Sequence, residues 1–151
     1  MRSFLLLLLL VVMNTVTAQK TEEQAVQKTI ERFFTGFHNQ DSTIIQSTVS
    51  NNIILQTIGS DKNGAKEVKT ENFDRFIQSI LSIPDTTKFL ERLLSFTIKV
   101  DGTLASAWTP YEVWVNDAFS HCGVNSFQLF KENEEWKIIY IIDTRRKKDC
   151  P

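Results

Sequence analysis

The sequence predicts an α+β fold, a set of helices followed by a long antiparallel meander, and three observations lead there. In the first half, apolar residues recur with the helical period. From about Leu90 onward the period falls from 3.6 to 2. The period-2 runs are separated by Asp101-Gly102, Asn116-Asp117 and Asn133-Glu134, dipeptides short enough to join neighbouring antiparallel strands.

The chain opens with Arg2 and an unbroken apolar run from Phe4 to Met13, and a polar stretch then ends in Val16-Thr17-Ala18. Small residues at the two positions a signal peptidase inspects, after a short apolar run, predict a secretory signal peptide over residues 1–18. A membrane anchor needs roughly 20 apolar residues, and no Cys stands at the cleavage point to carry a lipid. The expectation is a mature protein of 151 − 18 = 133 residues, secreted or periplasmic, with no membrane attachment after cleavage. That is the length of one domain, residues 19–151, with a sizeable core. A net charge of −1 gives no compositional pointer to nucleic acid or an anionic membrane. Eleven Phe and three Trp describe an aromatic-rich globular chain.

Thr21 to Asn39 is the strongest helix. Thr21 and Gln24 have capping-box spacing, and Val26, Ile30, Phe33, Phe34 and Phe37 form one apolar stripe suited to the concave side of a curved sheet. Gly36 is its weak point, and His38 at its end reads as a solvated terminal residue. Asp41 caps a short second helix through Ile44, Ile45 and Thr48. Asn51-Asn52 reads as a turn, NIILQTIG as a first strand, and Ser60 to Thr70 as a loop with room for a short pairing strand. Glu71 to Ser82 is a third helix, with Phe73, Phe76, Ile77 and Ile80 on one side and Pro84 ending it. The runs LERLLSFTIKV, TLASAWTPYEVWV, HCGVNSFQLFK and EWKIIYIIDTRRK are the meander. There are no repeats and no linker.

This order resembles the nuclear transport factor two-like superfamily, with its cystatin-like cone of curved antiparallel sheet wrapped around N-terminal helices. The closing half, with AWTPYEVWVND, FSHCGVNSFQLF, Trp136 and IIDTRR, is similar to the secreted bacterial group called lumazine-binding proteins. The resemblance implies a small-molecule-binding or accessory protein, or an enzyme of the kinds the superfamily contains. Those are ketosteroid isomerases, scytalone dehydratase-like and polyketide cyclase-like (SnoaL-like) enzymes, and limonene epoxide hydrolases. Fold does not choose among them. The isomerase pairing of an Asp base with a Tyr oxyanion donor has no residue-by-residue match, so those roles are not carried over.

Two-residue turns fix a register. With Val115 facing Ala118, Glu112 falls opposite His121; with Glu132 facing Glu135, His121 falls opposite Arg146; with Val100 facing Thr103, Ser95 falls opposite Trp108. One face then collects Trp108, Glu112, Trp114, His121, Asn125, Phe127 and Tyr140, and a bulge would swap the faces beyond it. Directly opposed side chains lie within contact distance. A Glu112–His121–Arg146 row therefore offers an acid–base pair in which the carboxylate raises the His pKa and orients the ring. Trp108, Trp114, Asn125, Phe127, Tyr140 and Arg146 would line a pocket for a small apolar or aromatic ligand. The same row also fits a salt-bridged sheet surface. Both faces are apolar enough to be covered, one by helices and the other by a second subunit in a homodimer.

Cys122 and Cys150 allow one bridge in an oxidising compartment, stabilising by about 3–4 kcal/mol; the alternative is a buried thiol at Cys122 and a loose one at Cys150. The run Arg145-Arg146-Lys147-Lys148, behind a signal peptide, reads as a solvated strand end and not as a nucleic-acid site. No GxSxG, Gly-rich phosphate loop or HExxH is present, and two widely separated His make a zinc site improbable. No cofactor is implied. Three functions follow: a ligand-binding protein, a lyase, isomerase or hydrolase using His121 with Glu112, or a homodimerising interaction module.

Overall fold

The computed structural model describes residues 2–150, with side chains from residue 19 onward, so the expected signal peptide lies outside the residues whose side chains are described. The element order is α1 (Arg2–His38), α2 (Ser42–Thr48), β1 (Val49–Ser60), β2 (Lys66–Glu71), α3 (Phe73–Leu81), β3 (Phe89–Leu93), β4 (Thr97–Asp101), β5 (Leu104–Val115), β6 (Ala118–Glu132) and β7 (Glu135–Arg146). The fold is α+β: helices occupy the concave side of one curved, unclosed seven-stranded sheet of order β2-β1-β7-β6-β5-β3, with β4 also paired to β5. Among the described residues no helix is long and apolar enough to cross a membrane.

The α1 stripe is the core. Val26, Ile30, Phe33 and Phe34 are buried against Phe127, Leu129, Trp136 and Ile138 of β6 and β7. Glu22 clamps the helix to the sheet: its carboxylate accepts from Lys131 Nζ and Trp136 Nε1, both at 2.9 Å. Gly36 is where α2 crosses α1, since a Cβ there would sit 2.9 Å from both Ile44 Cγ2 and Ile45 N. Asp41 caps α2 through Ile44 N (3.0 Å), and Asn72 caps α3 through Arg75 N (3.1 Å), so α3 begins after Asn72 instead of at Glu71.

Other expectations are corrected. Asn51-Asn52 lies within β1, which absorbs it through a register shift between Val49 and Ile54 while pairing parallel to β7. Lys66–Glu71 is the short pairing strand expected between Ser60 and Thr70, running one residue past Thr70 and closed onto β1 by a loop in which Asp61 Oδ1 accepts from Asn63 N and Ala65 N, both at 2.8 Å. The first meander turn is Gly102-Thr103, because Asp101 pairs with Leu104; Trp108 therefore faces Thr97 and not Ser95. His38 is half-buried, and its Nε2 accepts the backbone N–H of Glu91 at 3.0 Å.

The two later turns fall where the sequence places them. Asn116, Asp117, Asn133 and Glu134 all have positive φ, which matches a two-residue turn to the sheet twist. Each hairpin then carries a bulge. Trp114 pairs with Phe119 but Val113 pairs with His121, so β6 gains a residue at Ser120. Leu129 pairs with Ile138 but Gln128 pairs with Tyr140, so β7 gains one at Ile139. The concave face consequently holds Thr109 and Tyr111 of β5 beside Asn125 and Phe127 of β6 and Ile141, Asp143 and Arg145 of β7. Cys122 and Cys150 form a disulfide that folds the tail after β7 back over the convex face.

Candidate functional site

At the wide end of the concave face the core does not close, leaving a cavity of about 120 Å³. Phe33, Phe34 and Phe37 of α1, Phe76 of α3 and Phe127 of β6 form its aromatic side. The Phe76 ring stacks on Phe33 and Phe37 at 6.2 and 6.1 Å, and Phe127 meets Phe34 edge-on at 6.4 Å. Helical spacing on α1 aims three of these rings at one place, and α3 supplies a fourth ring, Phe76.

The opposite side is polar. Asn125 Nδ2 donates to Glu91 Oε1 at 2.7 Å, reaching from β6 across β5 to β3. The Tyr111 hydroxyl lies between Asp143 Oδ2 (3.1 Å) and the Thr144 carbonyl (2.9 Å), sharing its one proton, and Arg145 Nε donates to Asp143 Oδ2 at 2.8 Å. Gly123 makes this possible. A Cβ at that position would lie 2.8 Å from the Tyr111 ring and hydroxyl and would collide with the Thr144 carbonyl. Glu91, Asn125, Asp143 and Arg145 line the cavity, with Thr57 and Glu71 from β1 and β2 at its flank.

Electrostatics set this polar side apart. Burial pushes the Glu91 carboxyl up to about 7, with nearby Asp143 adding to it while the Asn125 hydrogen bond opposes it. Tyr111 is also pushed upward, first by burial and then by the charges of Asp143 and Glu91. Burial holds His38 below its ordinary value, consistent with a neutral ring whose Nε2 accepts a hydrogen bond.

Of the residues expected from sequence, the structure brings Asn125 and Phe127 to this cavity and separates the others. The Glu112–His121–Arg146 row is not formed: the Ser120 bulge pairs Glu112 with Cys122, and Cys122 with Arg146, while His121 faces Val113. Glu112 is on the convex face, where Oε2 accepts from Arg92 at 2.6 Å and Trp114 Nε1 at 3.1 Å, and these partners lower its pKa. His121 stays concave, edge-on to Tyr111 at 5.9 Å with Ser120 Oγ 3.1 Å from Nδ1. Burial, followed by the charge of Arg145, lowers its pKa, the reverse of the rise expected from a carboxylate neighbour. Trp108 is 53% exposed on the convex face. On that face too, Trp114 flanks a shallow groove with Arg92, Tyr140 donates to Gln56 at 2.6 Å, and Arg146 Nε donates to the Asp149 carbonyl at 3.0 Å. Glu91, Tyr111, Asp143 and Arg145 were missed as site residues. The available signal was a Glu in an otherwise apolar inward stripe, Phe89, Glu91 and Leu93.

No protein-family model matches the sequence, and no curated protein matches it. Solved structures do. An NTF2-like protein of unknown function from Shewanella baltica OS155 is 17% identical, with a TM-score of 0.60, over 85% of this chain and 96% of that one. An NTF2-like protein with a cystatin-like fold from Novosphingobium aromaticivorans is 13% identical, with a TM-score of 0.63, over 93% of this chain and 90% of that one. The fold is NTF2-like. A candidate dehydratase of the NTF2-like family from Streptomyces avermitilis, 12% identical, aligns with a TM-score of 0.64 over 84% of this chain and 97% of that one. At these identities the likeness extends to the fold alone.

Within this NTF2-like cone the arrangement can do two things. Aromatic walls facing a few fixed polar groups can orient a compact ligand. A carboxyl poised near neutrality can also take up or release a proton at physiological pH. Among the described residues no group of three or more His, Cys, Asp or Glu is arranged to hold a metal ion.

Proposed function

We propose that this protein binds a compact, partly aromatic small molecule in the open end of its cone. The observation that carries the reading is the cavity itself: phenylalanine rings on one side, and on the other the hydrogen-bonded Glu91–Asn125 pair beside Asp143. The aromatic side supplies area and the polar side sets orientation. At about 120 Å³ the cavity is smaller than the several hundred cubic ångströms typical of drug-sized ligands, so the ligand is small or enters only in part. Secretion belongs to the same reading, supported by the apolar N-terminal run and the Cys122–Cys150 disulfide. So does membership of the secreted lumazine-binding group, supported by the meander residues and the aromatic cavity. Exposed Ile54, Ile58, Val68, Leu104, Trp108 and Phe130 support a homodimer through the convex face, and a monomer in sedimentation at high concentration would count against it.

The test is a fragment screen by thermal shift on the mature protein and on Leu55→Phe, which fills the cavity from β1. Aromatic fragments should stabilise the wild type and not a cooperatively folded Leu55→Phe. Equal stabilisation of both would place binding elsewhere.

A second reading is proton transfer, with Glu91 as the acid or base, supported by its raised pKa and by its position on the cavity wall. In this reading Glu91 takes the part that sequence alone gave to His121 and Glu112. Loss of turnover in Glu91→Gln, with retained ligand binding, would separate it from the first.

A further inference from the structure

We propose that the cavity selects a compact organic cation, an alkyl- or arylalkylammonium, seated with its charge between Glu91 and Asp143 and its carbon body against the phenylalanines. This rests on the cavity being a ligand site. The first support is the charge of the wall: Glu91 and Asp143 line it with Arg145 as the one cation, and exposed Glu71 stands at its rim. Arg145 is partly spent, its Nε already donating to Asp143 Oδ2.

The second support is the balance of donors and acceptors. Asn125 Nδ2 is engaged by Glu91, and the Tyr111 hydroxyl by Asp143 and Thr144. Among the described residues no protein donor reaches Glu91 Oε2 or Asp143 Oδ1. The polar side thus offers acceptors that a ligand's N–H groups would satisfy, and an ammonium is all donor. The third support is the aromatic side, which gives the carbon body of such a ligand an apolar wall opposite the carboxylates. A carboxylate ligand would bury like charges together, and a neutral ligand would give Glu91 no opposite charge.

The groups facing Glu91 are His38 from α1, Tyr111 from β5, Asn125 from β6, and Asp143 and Arg145 from β7. Cation binding favours ionised Glu91, so affinity should rise with pH through its pKa, about ten-fold between pH 6 and pH 8 for a value near 7.

The test uses three probes of one shape, benzylamine, benzyl alcohol and benzoate, titrated into the mature protein while the Asn125 side-chain amide is followed by NMR. Benzylamine should bind at least ten-fold more tightly than the other two. Glu91→Gln should lose about ten-fold for benzylamine and change benzyl alcohol less than two-fold. Tighter binding of benzyl alcohol or benzoate would overturn the cation assignment and leave the ligand site standing. If none of the three moves the Asn125 amide at millimolar concentration, both the assignment and the ligand-site reading fail.

Discussion

The two faces of the sheet carry charged groups one residue apart and treat them in opposite ways. On β3, Glu91 points into the cone and Arg92 points out. Glu91 meets little water, one amide and the nearby charges of Asp143 and Arg145, and burial lifts its carboxyl to about 7. Arg92 meets Glu112 at 2.6 Å with its own side chain 57% exposed, and the Glu112 carboxyl is lowered. The convex pair is open to solvent on its Arg92 side, while the Glu112 side chain is 14% exposed, and pairs at the surface contribute little to stability. The concave group is held in a protonation state that a ligand or a reaction can use. Inward or outward direction, fixed by the unbroken β3–β5 register, decides which of the two carboxylates reaches the cavity.

That contrast can be broken by substitution. The largest effect should come from Phe127→Ala, which removes a fully buried ring shared by the core and the cavity. It should cost about 3–5 kcal/mol in urea unfolding, against a change within about 0.5 kcal/mol for Trp108→Ala on the convex face. Equal costs would mean the faces are assigned wrongly. Removing the Cys122–Cys150 bridge, which spans 28 positions, should cost about 3–4 kcal/mol, read by denaturation with and without reductant.

Glu91 gives a pH signature. Its folded value, about 7, lies above the ordinary 4.5, so its contribution is fully present below pH 4.5 and lost as pH rises through 7. Glu91→Gln should therefore leave stability unchanged at pH 4 and raise it at pH 8, by at most about 3 kcal/mol. A gain at pH 4 that disappears at pH 8 would contradict the burial of this carboxyl. The smallest effect is expected of Glu112→Gln, which should not move the unfolding midpoint measurably at either pH.

Much of the fold was legible because it rests on local rules. The α1 stripe, the Asp41 cap and the Asn116-Asp117 and Asn133-Glu134 turns follow from periodicity and turn chemistry, and these fix the helices and the starting register of the last two hairpins. The site was half legible. Asn125 and Phe127 reach the cavity, but Trp108, Trp114, Tyr140 and Arg146 do not, because one extra residue at Ser120 and another at Ile139 reverse which side chains share a face. A bulge has no strong residue signature, so nothing in the turn pairs shows it. Glu91 was hidden for a different reason. Its partners Asn125 and Asp143 lie 34 and 52 positions away, and only β3 closing on β5 brings them together.

The most direct measurement is a chemical-shift map of benzylamine binding to the protein, in which three Trp indole signals report separate places. The cone account predicts that Asn125 and Phe127 shift while the indoles of Trp108 and Trp114 stay still. Movement of those two indoles with a silent Asn125 would put the binding surface on the convex face and contradict it.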